Sequence, residues 1–225
     1  MTKSGTSLRG IAGVDEAGRG PLIGPMVICG VLVSSAKLEE IEHIGVRDSK
    51  MLTPQRREKL AAKIESIADK IITRSVSASE IDRLRKQMTM NEIEVKEFVE
   101  VVKALSPQKL YLDAADVKAE RFGERIGQMS GLLLKGVVIV SEHKADSKYP
   151  IVSAASIIAK VQRDEAITRL ISKYGDFGSG YPSDPKTVEF VRNLVKSRQK
   201  LPSIVRHSWD SVRRIREEVE QTRLD

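Results

Sequence analysis

The sequence predicts an α/β fold, a mixed β-sheet flanked by helices. Short apolar segments rich in β-branched residues are typical of buried strands, and in the second half of the chain they alternate with stretches of helical periodicity. The 225 residues are 40% hydrophobic and 31% charged, a balance that supports one substantial core. The longest nearly uninterrupted apolar run, 26–33, is far shorter than the roughly 20 residues of a membrane span, so no membrane is expected as a partner.

The first half of the chain begins with two predicted strands. Residues 11–14 and 26–33 are apolar and branched, and a connection rich in glycine and proline separates them. Thr53 followed by proline is typical of a helix start, and helical spacing continues from there to residue 69. A third strand is expected over 71–76. These three strands can be joined by tight connections, which favours antiparallel pairing somewhere in the sheet.

The second half alternates between helix and strand. We expect strands over 109–112 and 136–140, and helices over 79–86, 91–104, 118–129, 147–174, 184–197 and 208–222. The βαβ alternation predicts parallel pairing, so the sheet as a whole should be mixed. Glycine and proline punctuate the chain after residue 175, and we therefore expect one α/β domain over 1–177 and a basic helical extension over 178–225.

The positive charge of the chain is concentrated near its end. The formal net charge is +7, and residues 186–216 contain nine basic side chains against two acidic ones, which accounts for the whole excess. Such a segment suits a polyphosphate partner, although a solvated helical face has the same composition. The stretch 205–215 is expected to dock by one face, with its arginines turned to solvent or nucleic acid.

Cysteine and histidine are scarce. The single cysteine, Cys29, lies in an apolar run and cannot close an internal disulfide, and one cysteine with three histidines cannot form a structural zinc site. No apolar segment with a cleavage site follows the first ten residues, so the expected location is the cytoplasm.

Four acids occupy positions that a buried core would not favour. Asp15 and Glu16 directly follow the first strand, Asp113 ends another strand, and Asp146 follows a third after a short turn. Ligands in α/β sheets gather at the carboxyl ends of strands, so these acids can converge, although exposed strand ends also carry acids. Carboxylates without cysteine or clustered histidine select Mg²⁺ or Mn²⁺. With a basic surface, they suggest two-metal hydrolysis of a phosphodiester.

The glycine-rich connection after these acids fits neither common nucleotide motif. Gly18, Gly20 and Gly24 miss the dinucleotide spacing because residue 23 is isoleucine, and no Gly-Lys-Ser/Thr follows, which makes NAD and ATP poor candidates. Glycines beside acids allow a ligand to approach the backbone closely, although an ordinary turn also uses glycine.

Five sequence blocks together resemble one known family. They are GVDEAGRGPLIGPMV at 13–27, RDSKMLT at 47–53, YLDAADV at 111–117, EHKADSKYPIVSAASIIAKVQRD at 142–164 and GSGYPSDPKT at 178–187. In this order they resemble ribonuclease HII, the type 2 ribonuclease H, and the GSGYP form with the basic C-terminal helices is similar to archaeal members.

The resemblance implies a ribonuclease H-like five-stranded sheet with a small C-terminal helical lobe. It also implies a catalytic, metal-binding quartet of Asp15, Glu16, Asp113 and Asp146 that holds two divalent ions, Mg²⁺ or Mn²⁺. The implied enzyme is an endoribonuclease of DNA replication and repair that hydrolyses the RNA strand of RNA/DNA hybrids and cuts 5′ to ribonucleotides embedded in DNA. Its products carry 3′-hydroxyl and 5′-phosphate ends.

Substrate-binding residues follow from the same resemblance. The backbone of the GRG loop, defined as residues 18–20, is implied to contact the ribose 2′-hydroxyl and its flanking phosphates, and Tyr181 to stack on the next deoxyribose. The residues implied to bind substrate are Gly18, Arg19, Gly20, Lys50, Lys144 and Tyr181. Without the resemblance, Tyr181 reads as a packed loop aromatic and each lysine as solvated.

Partners and alternatives complete these expectations. A monomer is expected, and binding to the replication sliding clamp through the C-terminus is not, since the sequence ends QTRLD without the aromatic pair of the clamp peptide.

Two alternative functions remain open. A junction resolvase would share the acids but would not need a 2′-hydroxyl sensor. A noncatalytic nucleic-acid-binding protein would use the basic segment and would not need the four acids.

Overall fold

The computed structural model describes residues 10–46, 52–197 and 200–222. The strands are β1 (Gly10–Ala17), β2 (Met26–Ser34), β3 (Lys70–Val76), β4 (Lys109–Asp113) and β5 (Val138–Glu142). They form one sheet in the order β3-β2-β1-β4-β5, in which β4 pairs in parallel with both β1 and β5. The expected mixed five-stranded sheet with helices is confirmed.

The helices match most of the expected positions. They are α1 (Leu38–His43), α2 (Pro54–Ile67), α3 (Ala78–Leu84), α4 (Met90–Leu105), α5 (Ala119–Ser130), α6 (Ala145–Lys148), α7 (Pro150–Tyr174), α8 (Pro185–Lys196) and α9 (Asp210–Gln221). The expected cap of α2 is present, because the hydroxyl of Thr53 accepts a hydrogen bond from the N–H of Arg56 at 3.3 Å. The short helix α1 was not predicted.

The expected single helix over 147–174 is wrong in its first turns, where the structure has two helices. Tyr149, between α6 and α7, is extended, with φ −114° and ψ 114°. Pro150 accounts for the break, because a proline ring disfavours the helical conformation of the preceding residue and supplies no N–H. Asp146 therefore lies inside the short helix α6 rather than in a loop.

β1 and β4 extend further than their apolar residues suggest. β1 continues through Asp15 and Glu16 to Ala17, so these two acids lie within the strand rather than after it, and Asp113 is the last residue of β4, as expected. The parallel pairing continues to Val14 opposite Leu112, and Asp113 pairs with Glu142. Ladder hydrogen bonds outweigh the low strand preference of the acidic residues.

Contacts along the chain divide it into two compact units. The first contains the described residues within 1–17, 28–74 and 94–161, and the second those within 18–27, 75–93 and 162–225. The domain division expected at residue 178 stays a prediction. No helix in the described part of the chain is long and apolar enough to cross a bilayer.

In the first unit, helix α7 lies very close to β1. A Cβ atom added to Gly13 would lie 2.4 Å from the carbonyl carbon of Ile151 at the start of α7, so only glycine permits this approach. Alternate residues of a strand share a face, so Asp15 lies on the same face as Gly13. Buried side chains of α7, including Ser156, are therefore in position to interact with Asp15.

The second unit has its own apolar cluster, to which α8 and α9 contribute. Its members include Leu22, Ile23, Phe177, Val191 and Val212. Ile23 also forms an isolated antiparallel bridge with Val205, which fixes the residues after the GRG loop against the segment before α9.

Candidate active site

Three of the four expected acids come together in the first unit. Asp15, Asp113 and Asp146 each place a carboxylate oxygen within 4.8 Å of the others, and we call these three residues the carboxylate cluster. Asp15 and Asp146 are buried and Asp113 is half-buried. Glu16 is half-buried and falls outside the cluster, and its backbone N–H donates to Oδ1 of Asp15 at 2.7 Å.

Strand register and one turn explain the convergence. Val14 pairs with Leu112 in parallel strands, so the next residues of each strand, Asp15 and Asp113, occupy neighbouring positions at the same sheet edge. Asp113 Oδ1 accepts a hydrogen bond from the N–H of Ala145 at 2.9 Å, at the start of the helix that carries Asp146. Lys144, with a left-handed φ of 57°, makes the tight turn from β5 into that helix.

The cluster is electrostatically unfavourable without a cation. Burial, and after it the nearby charge of Asp113, raise the pKa of Asp15 to about 7. A hydrogen bond from Ser156 and the charge of Lys160 act in the opposite direction, and Lys160 Nζ also donates to Ser156 Oγ at 2.6 Å.

The donor set fits a divalent metal ion. Three carboxylates gathered within 4.8 Å supply hard oxygen ligands, and a cation among them would offset their mutual repulsion and their burial. The cluster contains neither cysteine nor histidine, so it suits Mg²⁺ or Mn²⁺ better than zinc.

The GRG loop belongs to the second unit, and its three residues have different environments. Gly18 is buried with a φ of 84°, a left-handed conformation that favours glycine. The half-buried side chain of Arg19 donates to Oδ1 of Asn91 at 2.6 Å. Gly20 is exposed, and a Cβ added to it would have open space around it.

Tyr181 is half-buried in the same unit, over a buried arginine. The guanidinium carbon of Arg163 lies 4.8 Å from the centre of the Tyr181 ring. Nη2 of Arg163 donates to the carbonyl of Ser179 at 3.2 Å, which connects α7 to the loop that carries the tyrosine. The ring is thereby supported on one face by a cation, an arrangement that favours a fixed ring plane.

Comparison with known proteins decides the family. The sequence model of the family described as Ribonuclease HII matches residues 12–212. The chain belongs to the ribonuclease HII family. A ribonuclease HII of Methanosarcina barkeri is 53% identical over 218 residues, covering 94% of this chain and 97% of that protein.

Solved structures agree with the family in fold. The crystal structure of ribonuclease H2 from Pyrococcus horikoshii is 46% identical, with a TM-score of 0.87 over 94% of this chain and 99% of that one. Ribonuclease HII of Archaeoglobus fulgidus, solved as a complex with PCNA, is 42% identical, with a TM-score of 0.82 over 89% of this chain and 95% of that one. The expected resemblance to archaeal ribonuclease HII and the ribonuclease H-like fold are confirmed.

Membership of the family also confirms the expected enzyme class. As a member of the ribonuclease HII family, the chain is a metal-dependent nuclease that hydrolyses phosphodiester bonds, and its ribonuclease H activity is directed at RNA/DNA hybrids. The acidic cluster described above supplies a place for the metal.

The other expected residues and partners of the chain have mixed outcomes. Lys144 is exposed at the turn before α6, whereas Lys50 lies outside the described residues. The last three residues, 223–225, also lie outside them, so the expectation about the C-terminal tail stays a prediction. The monomeric state and the cytoplasmic location stay predictions as well.

The structure corrects the expected exposure of the arginines in 205–215. Arg206 is completely buried, whereas Arg213 and Arg214 are exposed. Part of the basic segment is also engaged in ion pairs, such as Arg192 with Glu218 at 2.9 Å and Arg213 with Asp210 at 3.1 Å. The net charge of 186–216 therefore overstates the number of basic side chains that are available to a partner.

Sequence reasoning assigned no role to Ser156, Lys160 or Arg163, and it expected Arg206 to face solvent or nucleic acid. One signal was present for the first two, because Ser156 and Lys160 lie four residues apart and interrupt an apolar helix on one face. No comparable local signal marks the two arginines, because their partners are distant in sequence.

Proposed function

We propose that this chain hydrolyses the RNA strand of RNA/DNA hybrids and cuts 5′ to ribonucleotides embedded in DNA. In this proposal, Asp15, Glu16, Asp113 and Asp146 hold two divalent ions, Mg²⁺ or Mn²⁺, and the products carry 3′-hydroxyl and 5′-phosphate ends. The observation that supports it most directly is the carboxylate cluster, whose ligand oxygens lie within 4.8 Å of one another.

Backbone and side-chain groups around the cluster hold its ligands in place. When bound, the two ions supply positive charge that activates water and stabilises the leaving oxygen. The N–H of Ala145 fixes one oxygen of Asp113, and the N–H of Glu16 fixes one oxygen of Asp15. Ser156 and Lys160 favour the ionised form of Asp15, which is the form that binds a cation.

The second unit supplies groups suited to reading the sugar. Gly20 is exposed without a side chain, so its backbone is accessible to a 2′-hydroxyl or a phosphate. Tyr181 has a supported ring that suits stacking on the deoxyribose after a ribonucleotide. Lys50 and Lys144 are proposed to lie near substrate phosphates. Gly20 and Tyr181 would distinguish an RNA-to-DNA junction from plain DNA.

A cleavage assay tests the proposal. Three duplexes are compared in Mg²⁺ and in Mn²⁺: DNA with one ribonucleotide, a continuous RNA/DNA hybrid, and DNA alone. We expect cutting 5′ to the single ribonucleotide and within the hybrid, no cutting of DNA, and loss of cutting with retained binding in Asp113→Asn. Cleavage of all three duplexes would indicate a general two-metal nuclease. Full activity in Asp113→Asn would refute the assignment of the cluster.

A further inference from the structure

Arg206 makes an unusual set of contacts for a buried arginine. Its side chain is completely buried in the second unit. Nη2 donates to the carbonyl of Gly18 at 2.5 Å, Nη1 to the carbonyl of Arg19 at 2.7 Å, and Nε and Nη2 to the carbonyl of Gly24 at 3.1 and 3.0 Å. The guanidinium thus binds two consecutive carbonyls of the GRG loop and one beyond it.

This arrangement is costly for folding. A buried charge is heavily penalised unless a counter-charge accompanies it, and no ion pair of Arg206 occurs within the described part of the chain. Burial, and after it the positive charge of Arg163, lower the pKa of Arg206 to about 9, although the charge of Asp82 acts in the opposite direction. An apolar side chain would fill this space at less expense, so stability alone gives a poor reason for an arginine here.

Peptide geometry shows what the contacts achieve. Peptide bonds among the described residues are trans, so each N–H points opposite to the carbonyl of the preceding residue. With the carbonyls of Gly18 and Arg19 turned to Arg206, the N–H groups of Arg19 and Gly20 point away from it. Gly20 itself has open space where a side chain would be.

A neighbouring residue extends the same arrangement. Nε1 of Trp209 donates to the carbonyl of Gly20 at 3.3 Å, and the guanidinium of Arg206 lies 4.9 Å from the centre of the Trp209 ring. Three consecutive carbonyls are therefore held by two side chains of one short segment, residues 206–209. In the peptides that follow Gly18 and Arg19, hydrogen bonding at the carbonyl also polarises the peptide and strengthens its N–H as a donor, whereas the peptide after Gly20 belongs to a proline and has no N–H.

We propose that Arg206 is the positioning residue of the GRG loop, turning the N–H groups of Arg19 and Gly20 toward the ribose 2′-hydroxyl and phosphates of the substrate. The inference rests on the proposed function, since it assumes that this loop reads the sugar. Arg206 itself touches no substrate in this role. It acts through the orientation and polarisation of the loop backbone.

Asp82 provides a matched control. Its carboxylate accepts hydrogen bonds from the N–H of His207 at 2.8 Å, the N–H of Ser208 at 2.9 Å and the Ser208 hydroxyl at 2.6 Å. Asp82→Asn therefore loosens the same segment without removing any hydrogen bond to the GRG loop. A purely structural role of Arg206 predicts that the two variants behave alike.

The experiment measures kcat and KM of the full chain on a DNA duplex with one ribonucleotide and on the same duplex with a 2′-fluoro nucleotide. For Arg206→Lys, we expect KM to rise about tenfold to a hundredfold and the preference for the ribonucleotide to fall about tenfold, with a smaller change in kcat. Asp82→Asn should lower the melting temperature yet leave KM and the preference unchanged, because partial unfolding reduces active enzyme rather than affinity.

Chemical rescue provides a second test that remains valid if Arg206→Lys folds poorly. In Arg206→Ala, millimolar guanidinium ion should lower KM toward the wild-type value, whereas methylammonium, which lacks the planar set of donors, should not. Equal KM and preference in Arg206→Lys and Asp82→Asn, with a wild type that prefers the ribonucleotide, would overturn the role of Arg206 alone. A wild type without that preference would overturn the proposed sugar reading as well.

Discussion

The carboxylate cluster and the GRG loop are held in opposite ways. The cluster consists of side chains on regular elements, and strand register brings Asp15 and Asp113 together. In the loop the functional groups belong to the backbone, and the side chain of Arg206 holds it in place. Each region contains a buried ionisable side chain, and burial shifts its pKa in the direction that favours the uncharged form, upward for Asp15 and downward for Arg206. In each region, burying an ionisable side chain costs folding free energy, and the same side chain contributes to a fixed geometry of the site.

Replacing Asp15 tests the free-energy cost of burying its carboxylate, and this substitution should have the largest effect. In Asp15→Asn, we expect cleavage to fall about 10³-fold through loss of a metal ligand. The metal-free protein should nevertheless melt several degrees higher at pH 8, because a pKa raised from 3.8 to about 7 corresponds to roughly 4 kcal/mol against folding. Turnover and thermal unfolding in a chelator measure the two effects.

The pH dependence gives the sign of the effect on stability. Between about pH 4 and pH 7 the unfolded chain has lost the Asp15 proton and the folded chain retains it, so wild-type stability falls as pH rises through this range. The advantage of Asp15→Asn should thus be greatest at pH 8 and absent near pH 4. Asp69 is a control of opposite sign, because its hydrogen bond from Lys37 lowers its pKa, and Asp69→Asn should destabilise at pH 8. A constant gain for Asp15→Asn at both pH values would contradict the argument.

Substitutions of the two glycines of the GRG loop should change different properties, substrate binding for Gly20 and stability for Gly18. Gly20→Ala adds a methyl group in open space, so the melting temperature should be unchanged while kcat/KM falls on the order of a hundredfold through interference with substrate. Gly18→Ala should instead lose stability, because its φ is left-handed and the new Cβ would lie 2.5 Å from Arg163. Thermal melts and steady-state kinetics on the single-ribonucleotide duplex measure both. Normal kinetics in Gly20→Ala would show that substrate does not approach this residue.

Tyr181→Ala should have the smallest effect. Loss of the ring supported by Arg163 is expected to reduce the preference for an RNA-to-DNA junction about tenfold, with a smaller change in affinity for the continuous hybrid. Competition between the two substrates measures the preference. Tyr181→Phe retains the ring and should behave like the wild type. An equal loss on all substrates in Tyr181→Ala would assign the ring a packing role only.

Local signals were enough to predict most of the fold. The capping residue Thr53, the periodicity of α2 and the branched residues of the strands depend on neighbours in sequence, and the elements they predict are present. The convergence of Asp15, Asp113 and Asp146 was also predictable, since the carboxyl ends of adjacent parallel strands meet at one sheet edge. The extension of β1 through two acids was not, because pairing with a neighbouring strand decides it.

The second unit was harder to predict, for a physical reason. Arg206 and its partner Gly18 are 188 residues apart in sequence, and the partner atoms are backbone carbonyls, which every residue possesses. Arginine is mostly exposed in proteins, so a prediction from sequence places a buried arginine such as Arg206 at the surface. Contacts between side chain and distant backbone leave no pattern in a single sequence.

The close approach of α7 to Gly13 has a consequence for genetics. Any side chain at position 13 would push the start of α7 away from β1 and thereby move Ser156 and Lys160 relative to Asp15. A screen for alleles that lose nuclease activity should recover substitutions of Gly13 alongside those of the acids, although this residue has no functional group at all. Its contribution to catalysis is the space that it leaves empty.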